Sequence, residues 1–255
     1  MSADAEKQVL ALQGGGALGA YQAGAYEALC EAGHGPRWIA GTSIGAINAA
    51  IIAGNPAERR VPRLREFWEK VSSRLLGSPL ADEGNSRRIF NETSSILSVA
   101  AGVPGFFNPR IPPAAVMPRG TLEAISVYDT GPLKVTLNEL VDFDLLNSGA
   151  VRLSIGAVQV LTGNMRYFDT DSQTIGPEHV MASGGLPPGF PPIEIDGEPY
   201  WDGGLVSNTP LEYLLGRRGP REDMCIYQID LFSAKGRMPQ TLFDVAQREK
   251  EIGSR

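Results

Sequence analysis

The sequence predicts an α/β protein built on a mainly parallel sheet, and its first 54 residues carry that prediction. The run QVLALQ (8–13) is apolar and ends in three glycines, which is typical of a buried parallel strand. Residues 17–32 are small and helix-favouring, and Gly33 supplies a usual helix end. RWIAG (37–41) predicts a second strand and IGAINAAIIAG (44–54) a second helix. Alternation at this spacing favours parallel strands joined by crossover helices.

A long helix and an insertion are predicted next. Residues 58–76 place Leu64, Phe67 and Leu75 on one side of an amphipathic helix. The basic stretch within it, 58–67, is interpreted as a solvated helix face. Residues 77–130 are rich in Ser, Pro, Gly and Asn and show no clean apolar period, so we expect either a cap over a site or an ordinary surface insertion.

The remaining elements follow the same α/β pattern. A helix is predicted at 130–143, a hairpin where RLSIGAVQV and MRYFDT flank LTGN, and a short helix at EHVMASGG. MCIYQIDLF (224–232) predicts a core strand. Residues 233–255 have a helical pattern that stops without a cap. We therefore expect one domain over 1–255, with an insertion at 77–130 and an incomplete helical region at its end.

Composition narrows the class of protein. The 255 residues are 42% hydrophobic and 20% charged, as in ordinary globular chains, and the formal net charge of −6 gives no general attraction to nucleic acid. The start of the sequence lacks the pattern of a signal peptide, and no apolar run approaches the roughly 20 residues of a membrane span. We expect a cytoplasmic protein, with peripheral membrane contact and oligomeric state left open. Cys30 and Cys225 are expected to be reduced, buried core thiols.

Ser43 is the first candidate for chemistry. It lies in Gly-x-Ser-x-Gly, between Gly41 and Gly45, where a predicted strand becomes a helix. A serine on such a turn is held in a strained conformation with its hydroxyl exposed, and the helix N-terminus favours a developing alkoxide. The structural alternative is that Ser43 simply caps the helix.

The glycine loop GGGALG (14–19) is the second candidate. Consecutive glycines before a helix expose backbone N–H groups that can bind an anion, and Gly15 and Gly16 are the expected donors to an oxyanion. The same residues also satisfy the dinucleotide pattern G-x-G-x-x-G. That alternative is disfavoured because the second strand ends without the acidic residue that holds a ribose.

Asp202 in YWDGGLVSNTP is the third candidate. It precedes Gly203 and Gly204 on what the sequence suggests is a loop, and it can serve as the base for Ser43. A Ser–acid–His triad ending at His179 satisfies the chain order of the α/β-hydrolases, but only two strands precede Ser43. His34 and His179 are the two histidines, and they are interpreted as a surface turn residue and an exposed helix residue.

Four segments together resemble the patatin-like phospholipases. They are LQGGGALGAYQAGAYEAL, GTSIGAINAA, ASGGLPPGFPP and YWDGGLVSNTP, in that order and at compatible spacings. The resemblance covers about residues 8–232. It implies a three-layer α/β/α fold and lipid acyl hydrolysis without a metal or an organic cofactor.

The resemblance also assigns roles to residues. It implies Ser43 as nucleophile, Asp202 as base, and the glycines of the first segment as the oxyanion loop: Gly14, Gly15 and Gly16. Leu18 stands where many members carry Arg or Lys. The expected substrate is a lipid or another acyl ester, including thioesters; the alternative is a non-catalytic member that binds a lipid or a partner.

Overall fold

A seven-stranded sheet organises the chain. The structure is a computed structural model, and it describes residues 7–73, 102–217, 219 and 223–253. The strands of the sheet are β1 Lys7–Leu12, β2 Trp38–Thr42, β5 Arg152–Gln159, β6 Met165–Asp169, β7 Ile193–Ile195, β8 Glu198–Asp202 and β9 Met224–Ile229. A separate two-stranded pair joins β3 Asn108–Pro109 to β4 Tyr128–Asp129.

Helices connect and cover these strands. They are α1 Ala20–Glu31, α2 Ile44–Ala53, α3 Ala57–Ser72, α4 Gly131–Leu140, α5 Phe143–Leu146, α6 Pro177–Ser183, α7 Leu211–Gly216 and α8 Leu242–Gly253. The predicted helices at 17–32 and 44–54 are therefore confirmed within a few residues, and the one at 58–76 is confirmed over its described part. The basic face of α3 is solvated as expected, and its Arg63 and Arg65 pair with Glu66 and Glu27.

The sheet has a parallel part and an antiparallel part. Its order is β7-β8-β5-β2-β1-β9, and β6 pairs with β5 outside that path. The strands β5, β2, β1 and β9 run parallel to one another. The hairpin partner β6 and the pair β7–β8 are added antiparallel at the β5 end. The predicted α/β/α class, with a mostly parallel sheet flanked by helices in a single domain, is confirmed.

One detail of strand pairing places the candidate site. Along β5, Gly156 pairs with Thr42, the last residue of β2, and Ala157 pairs with Asp202, the last residue of β8. Because β6 occupies the other side of β5, β8 lies on the same side as β2 and continues where β2 stops. The turn after β2 and the end of β8 therefore meet over the middle of the sheet.

The core packs on both faces of the sheet. One face presents Leu10, Ile39 and Ile155 to the helix layer, in which all ten residues of α2 are buried. On the other face Trp38 packs with Leu214 of α7. Burial of a large aliphatic side chain contributes about 1.5–3 kcal/mol to the free energy of unfolding. Because every residue of α2 is buried, the packing of this helix also holds the preceding turn in place.

Some expectations from the sequence differ from the structure. Cys30 is exposed and Cys225 only half-buried, so the prediction of buried thiols was wrong: one lies on the outer side of α1 and the other on the edge strand β9. The strand at 224–229 was predicted to lie in the core, but it is half-buried because β9 is at the edge of the sheet. Residues 77–101 of the predicted insertion and Leu75 lie outside the described residues. Among the described helices, none is long and apolar enough to cross a membrane.

Candidate active site

Ser43 occupies a strained turn between β2 and α2. Its φ of 56° and ψ of −126° lie in a region that residues with a Cβ rarely adopt. The Ser43 carbonyl accepts the amide of Ala46 at 2.9 Å and so begins the helix, but the Ser43 side chain makes no capping hydrogen bond. The interpretation of Ser43 as a simple helix cap is therefore wrong.

The two glycines of Gly-x-Ser-x-Gly are required by close backbone contacts. A Cβ on Gly41 would lie 2.4 Å from the carbonyl oxygen of Gly45, and one on Gly45 would lie 2.3 Å from the carbonyl oxygen of Leu12. Real Cβ atoms do not approach backbone atoms this closely. The pattern thus has a steric cause: strand β1, strand β2 and the start of α2 converge beneath Ser43.

Asp202 lies next to the turn that carries Ser43, because Thr42 and Asp202 pair with the consecutive residues Gly156 and Ala157 of β5. The structure corrects its predicted loop position, because Asp202 is the last residue of β8 and not a loop residue. Asp202 is only 3% exposed, and its carboxylate accepts a hydrogen bond from the Gly204 amide at 2.7 Å. Burial raises the pKa of Asp202, and the nearby Ser43 side chain and the Gly204 amide offset only part of that effect, which leaves the pKa at about 6.

The glycines after Asp202 let this strand end close to β5. A Cβ on Gly203 would lie 2.5 Å from the Gly156 carbonyl oxygen, so only glycine fits there. A Cβ on Gly204 would lie 2.9 Å from Asn208 Oδ1 and 3.1 Å from Asp202 Oδ1. The contact with Asp202 Oδ1 shows that the loop backbone lies against the carboxylate. Gly204 can then donate to the carboxylate from its own amide.

The glycine loop lies directly beside Ser43. A Cβ on Gly14 would lie 3.0 Å from the Ser43 Cβ, so a side chain there would press on the serine. The Gly14 amide donates to the Asn208 carbonyl at 3.0 Å and is occupied. Within the described residues, no acceptor contacts the amides of Gly15 and Gly16. These two amides therefore remain the candidate oxyanion donors, whereas Gly14 shapes the loop.

Neither histidine contacts this site. The Nδ1 atom of His179 accepts the Gly176 amide at 3.0 Å, and its Nε2 lies 3.2 Å from the Gln173 side-chain amide. The ring is half-buried and packs edge-on against Phe168 at 4.8 Å, so its predicted exposure was wrong. Burial is the main reason that the pKa of His179 lies below its usual range. His34 is exposed and packs on Tyr227, as expected for a surface turn residue.

A family comparison fits this arrangement. A sequence profile described as patatin-like phospholipase matches residues 10–215. The chain belongs to the patatin-like phospholipase family. The matched region contains the glycine loop, Ser43 and Asp202. Direct comparison with curated proteins gave no match.

One solved structure shows the same fold in a larger protein. The crystal structure of VipD from Legionella pneumophila aligns with a TM-score of 0.50 at 17% identity, over 95% of this chain and 52% of VipD. That of the type III effector protein ExoU aligns with a TM-score of 0.32 at 22% identity, over 71% of this chain and 40% of ExoU. This patatin-like chain therefore spans about half the length of VipD and less of ExoU.

Sequence reasoning did not identify the polar residues that hold the patatin-like site together. Asn208 clamps the glycine loop, since its Nδ2 donates to the Gly14 carbonyl at 3.0 Å while its own carbonyl accepts the Gly14 amide. Gln13 is 2% exposed; its Oε1 accepts the Leu231 amide at 2.6 Å and its Nε2 donates to Thr209 at 2.9 Å. Both residues lie inside segments that carry the family resemblance, but only the fold shows their partners.

A cavity opens beside this part of the patatin-like site. It has a volume of about 850 Å³ and is bounded by Gln13, Tyr167, Thr209 and Tyr213 among others. Neither Ser43 nor Asp202 lines it, and neither does any part of 102–117, the described portion of the apolar segment 100–117 within the predicted insertion. The position of the cavity therefore does not identify it as an acyl-chain channel.

Proposed function

We propose that this chain hydrolyses lipid acyl esters through a Ser43–Asp202 dyad. The observation that carries the proposal is that strand pairing brings the buried Asp202 carboxylate to the strained turn of Ser43, whose side chain lowers the pKa of that carboxylate. A pKa of about 6 keeps Asp202 ionised at neutral pH and makes it more basic than an ordinary aspartate. Membership of the patatin-like phospholipase family supports a lipid as substrate.

The proposed reaction has two steps. The Ser43 Oγ attacks the carbonyl carbon while Asp202 takes the hydroxyl proton, and the oxyanion is stabilised by the Gly15 and Gly16 amides. Collapse expels the alcohol, which leaves with the proton from Asp202, and an acyl-serine remains. Water then attacks the acyl-serine, with Asp202 as base, and the fatty acid is released. Loss of one oxyanion donor costs about 10²–10³-fold in rate in comparable sites.

The acyl chain is proposed to meet the apolar segment 100–117, of which the structure describes residues 102–117. Phe106 and Phe107 of this segment join an aromatic cluster with Phe190, with ring centroids 5.1–6.0 Å apart. Phe190 lies a few residues after Gly185 in the same loop, and the Gly185 carbonyl accepts the Asp202 amide at 3.1 Å. The cluster is thus connected to the base by a short length of chain. A rate that does not change between short and long acyl chains would contradict this assignment.

The decisive experiment compares the protein with its Ser43→Ala variant. Phospholipids, lysophospholipids, neutral glycerides and acyl thioesters are supplied separately, and released fatty acid is measured by mass spectrometry. Fatty-acid release by the wild type and not by the variant supports the proposal, and the best substrate identifies the head group. Saturable lipid binding without product would instead favour a non-catalytic binding protein.

A further inference from the structure

The hydroxyl of Ser183 joins the proposed nucleophile to the sheet. Ser183 is the last residue of α6 and is fully buried. Its Oγ accepts the backbone amide of Ser43 at 2.9 Å and donates to the carbonyl oxygen of Gly156 at 2.6 Å. This single hydroxyl therefore connects the turn after β2, strand β5 and helix α6.

The Ser43 amide needs such a partner because of where it lies. Strand β2 ends at Thr42, so its pairing with β5 stops one residue before Ser43. The amide of Ser43 also precedes the first intrahelical bond of α2, so neither the sheet nor the helix supplies an acceptor. The positive φ of Ser43 is unfavourable for a residue with a Cβ and persists only when its surroundings hold it.

We propose that Ser183 is a positioning residue for the hydrolysis proposed above. Its hydroxyl fixes the Ser43 backbone in the positive-φ conformation that directs Oγ to Asp202. The hydrogen bonds of Ser183 reach neither the Asp202 carboxylate nor the glycine loop. Its effect on Ser43 therefore passes through the Ser43 amide. Loss of the hydroxyl leaves that amide and the Gly156 carbonyl unpaired inside the protein, and the turn relaxes toward an ordinary conformation.

Ser154 provides a matched control. Like Ser183 it is fully buried and has one accepted and one donated hydrogen bond, from the Trp38 indole at 2.8 Å and to Asp169 at 2.7 Å. It lies on β5 but makes no hydrogen bond to Ser43. Replacing either serine by alanine removes the same group from a buried polar site, while only one replacement releases the Ser43 backbone.

The test measures stability and reactivity on four proteins. Thermal midpoints and second-order rate constants for a fluorophosphonate probe are determined for the wild type, Ser183→Ala, Ser183→Thr and Ser154→Ala. We expect both alanine variants to lose stability. Ser183→Ala should react about 10–100-fold more slowly, because small displacements of a reacting group carry penalties of this order. Ser154→Ala should stay within about twofold of the wild type, and Ser183→Thr, which restores the hydroxyl, should react faster than Ser183→Ala.

Three results would overturn the inference. They are a folded Ser183→Ala protein that reacts like the wild type, an equal loss of reactivity in Ser154→Ala, and a folded Ser183→Thr protein as slow as Ser183→Ala. Should Ser183→Ala not fold, Ser183→Cys takes its place, because a thiol keeps the shape but is a weak hydrogen-bonding group. It should then show the loss of reactivity expected for alanine.

A structural readout separates this inference from the proposed function. If the wild type itself neither reacts with the probe nor releases product, the proposed function fails. Crystal structures of the wild type and of Ser183→Ala, or of Ser183→Cys if alanine does not fold, then still decide the role of Ser183. We expect Ser43 to leave the positive-φ region in the variant, and an unchanged Ser43 backbone would contradict the inference.

Discussion

Replacing Asp202 by asparagine should make the protein more stable while removing the proposed hydrolysis. The carboxylate is 3% exposed, and burial holds its pKa at about 6 against a reference value of 3.8. The native state therefore binds the proton more tightly than the unfolded chain does. Because of this, the stability contributed by protonated Asp202 is lost as the pH rises from about 4 through 6. Asparagine removes the charge and can still accept the Gly204 amide.

The size of the effect follows from the two pKa values. Their difference corresponds to about 3 kcal/mol of unfolding free energy at pH 8, with 1.36 kcal/mol per pKa unit. At pH 5 the native carboxyl is mostly protonated and the unfolded one mostly ionised, so the linkage relation leaves about half of that energy. In a chain of this size, about 3 kcal/mol moves the thermal midpoint by roughly 6–12 °C.

The assay is thermal unfolding of the wild type and Asp202→Asn at pH 8 and pH 5, with fatty-acid release measured in parallel. Asp169→Asn is the control. Burial raises the pKa of Asp169, but hydrogen bonds from Arg152, Ser154 and Tyr213 outweigh it and the pKa lies below its usual range. Removing that charge leaves the Arg152 guanidinium without its buried partner and should destabilise the protein by about 3–5 kcal/mol.

Two results would refute this reasoning. The first is an Asp202→Asn protein that is no more stable than the wild type at pH 8. The second is a gain in stability that is the same at pH 5 and pH 8, since a burial penalty on the charged form must shrink as the carboxyl takes up its proton. Retained hydrolysis by the variant would separately contradict the role of Asp202 as base.

Further predictions concern pH, the loop clamp and the turn glycines. Below about pH 6, kcat/KM should fall about tenfold per pH unit, because Asp202 becomes protonated. The His179→Ala variant should keep this pH profile and most of the rate. A His179→Ala protein that folds but is inactive would restore the Ser–acid–His triad alternative. Asn208→Ala should lower kcat about 10–100-fold with a smaller change in KM, in steady-state assays, because the oxyanion loop loses its clamp. Gly45→Ala should prevent stable folding, because the added Cβ would lie 2.3 Å from a backbone oxygen of β1. At Gly24 an added Cβ would have nothing within 4 Å, so the free energy of unfolding of Gly24→Ala, measured with denaturant, should rise by about 0.5–1 kcal/mol.

Local features of the site could be predicted from sequence because they depend on neighbours in the chain. The strand-turn-helix context of Ser43 followed from one apolar run and one alanine-rich helix, and the glycine requirement followed from the tightness of that turn. The free amides of Gly15 and Gly16 likewise follow from consecutive glycines before a helix. These are short-range consequences of backbone geometry, so a single sequence contains them.

The contacts that assemble the site could not be predicted in the same way. Antiparallel pairing of β8 with β5 places Asp202 beside the end of β2, about 160 residues away in the sequence, and no local pattern specifies that register. The hydrogen bonds of Ser183 and Asn208 are made to backbone atoms, which every residue possesses, so residue types do not reveal them. Exposure of Cys30 was missed for a related reason: a small residue on a helix is compatible with either face.

The central claim, that Ser43 is activated by the fold, is tested most directly by fluorophosphonate labelling with peptide mass spectrometry. Native wild-type protein, denatured wild type and the Ser43→Ala variant are treated in parallel. We expect an adduct on Ser43 in the native wild type alone, since the reactivity depends on Asp202 and the glycine loop being in place. An intact, folded wild type that carries no adduct on Ser43, or an adduct that persists after denaturation, would contradict the account.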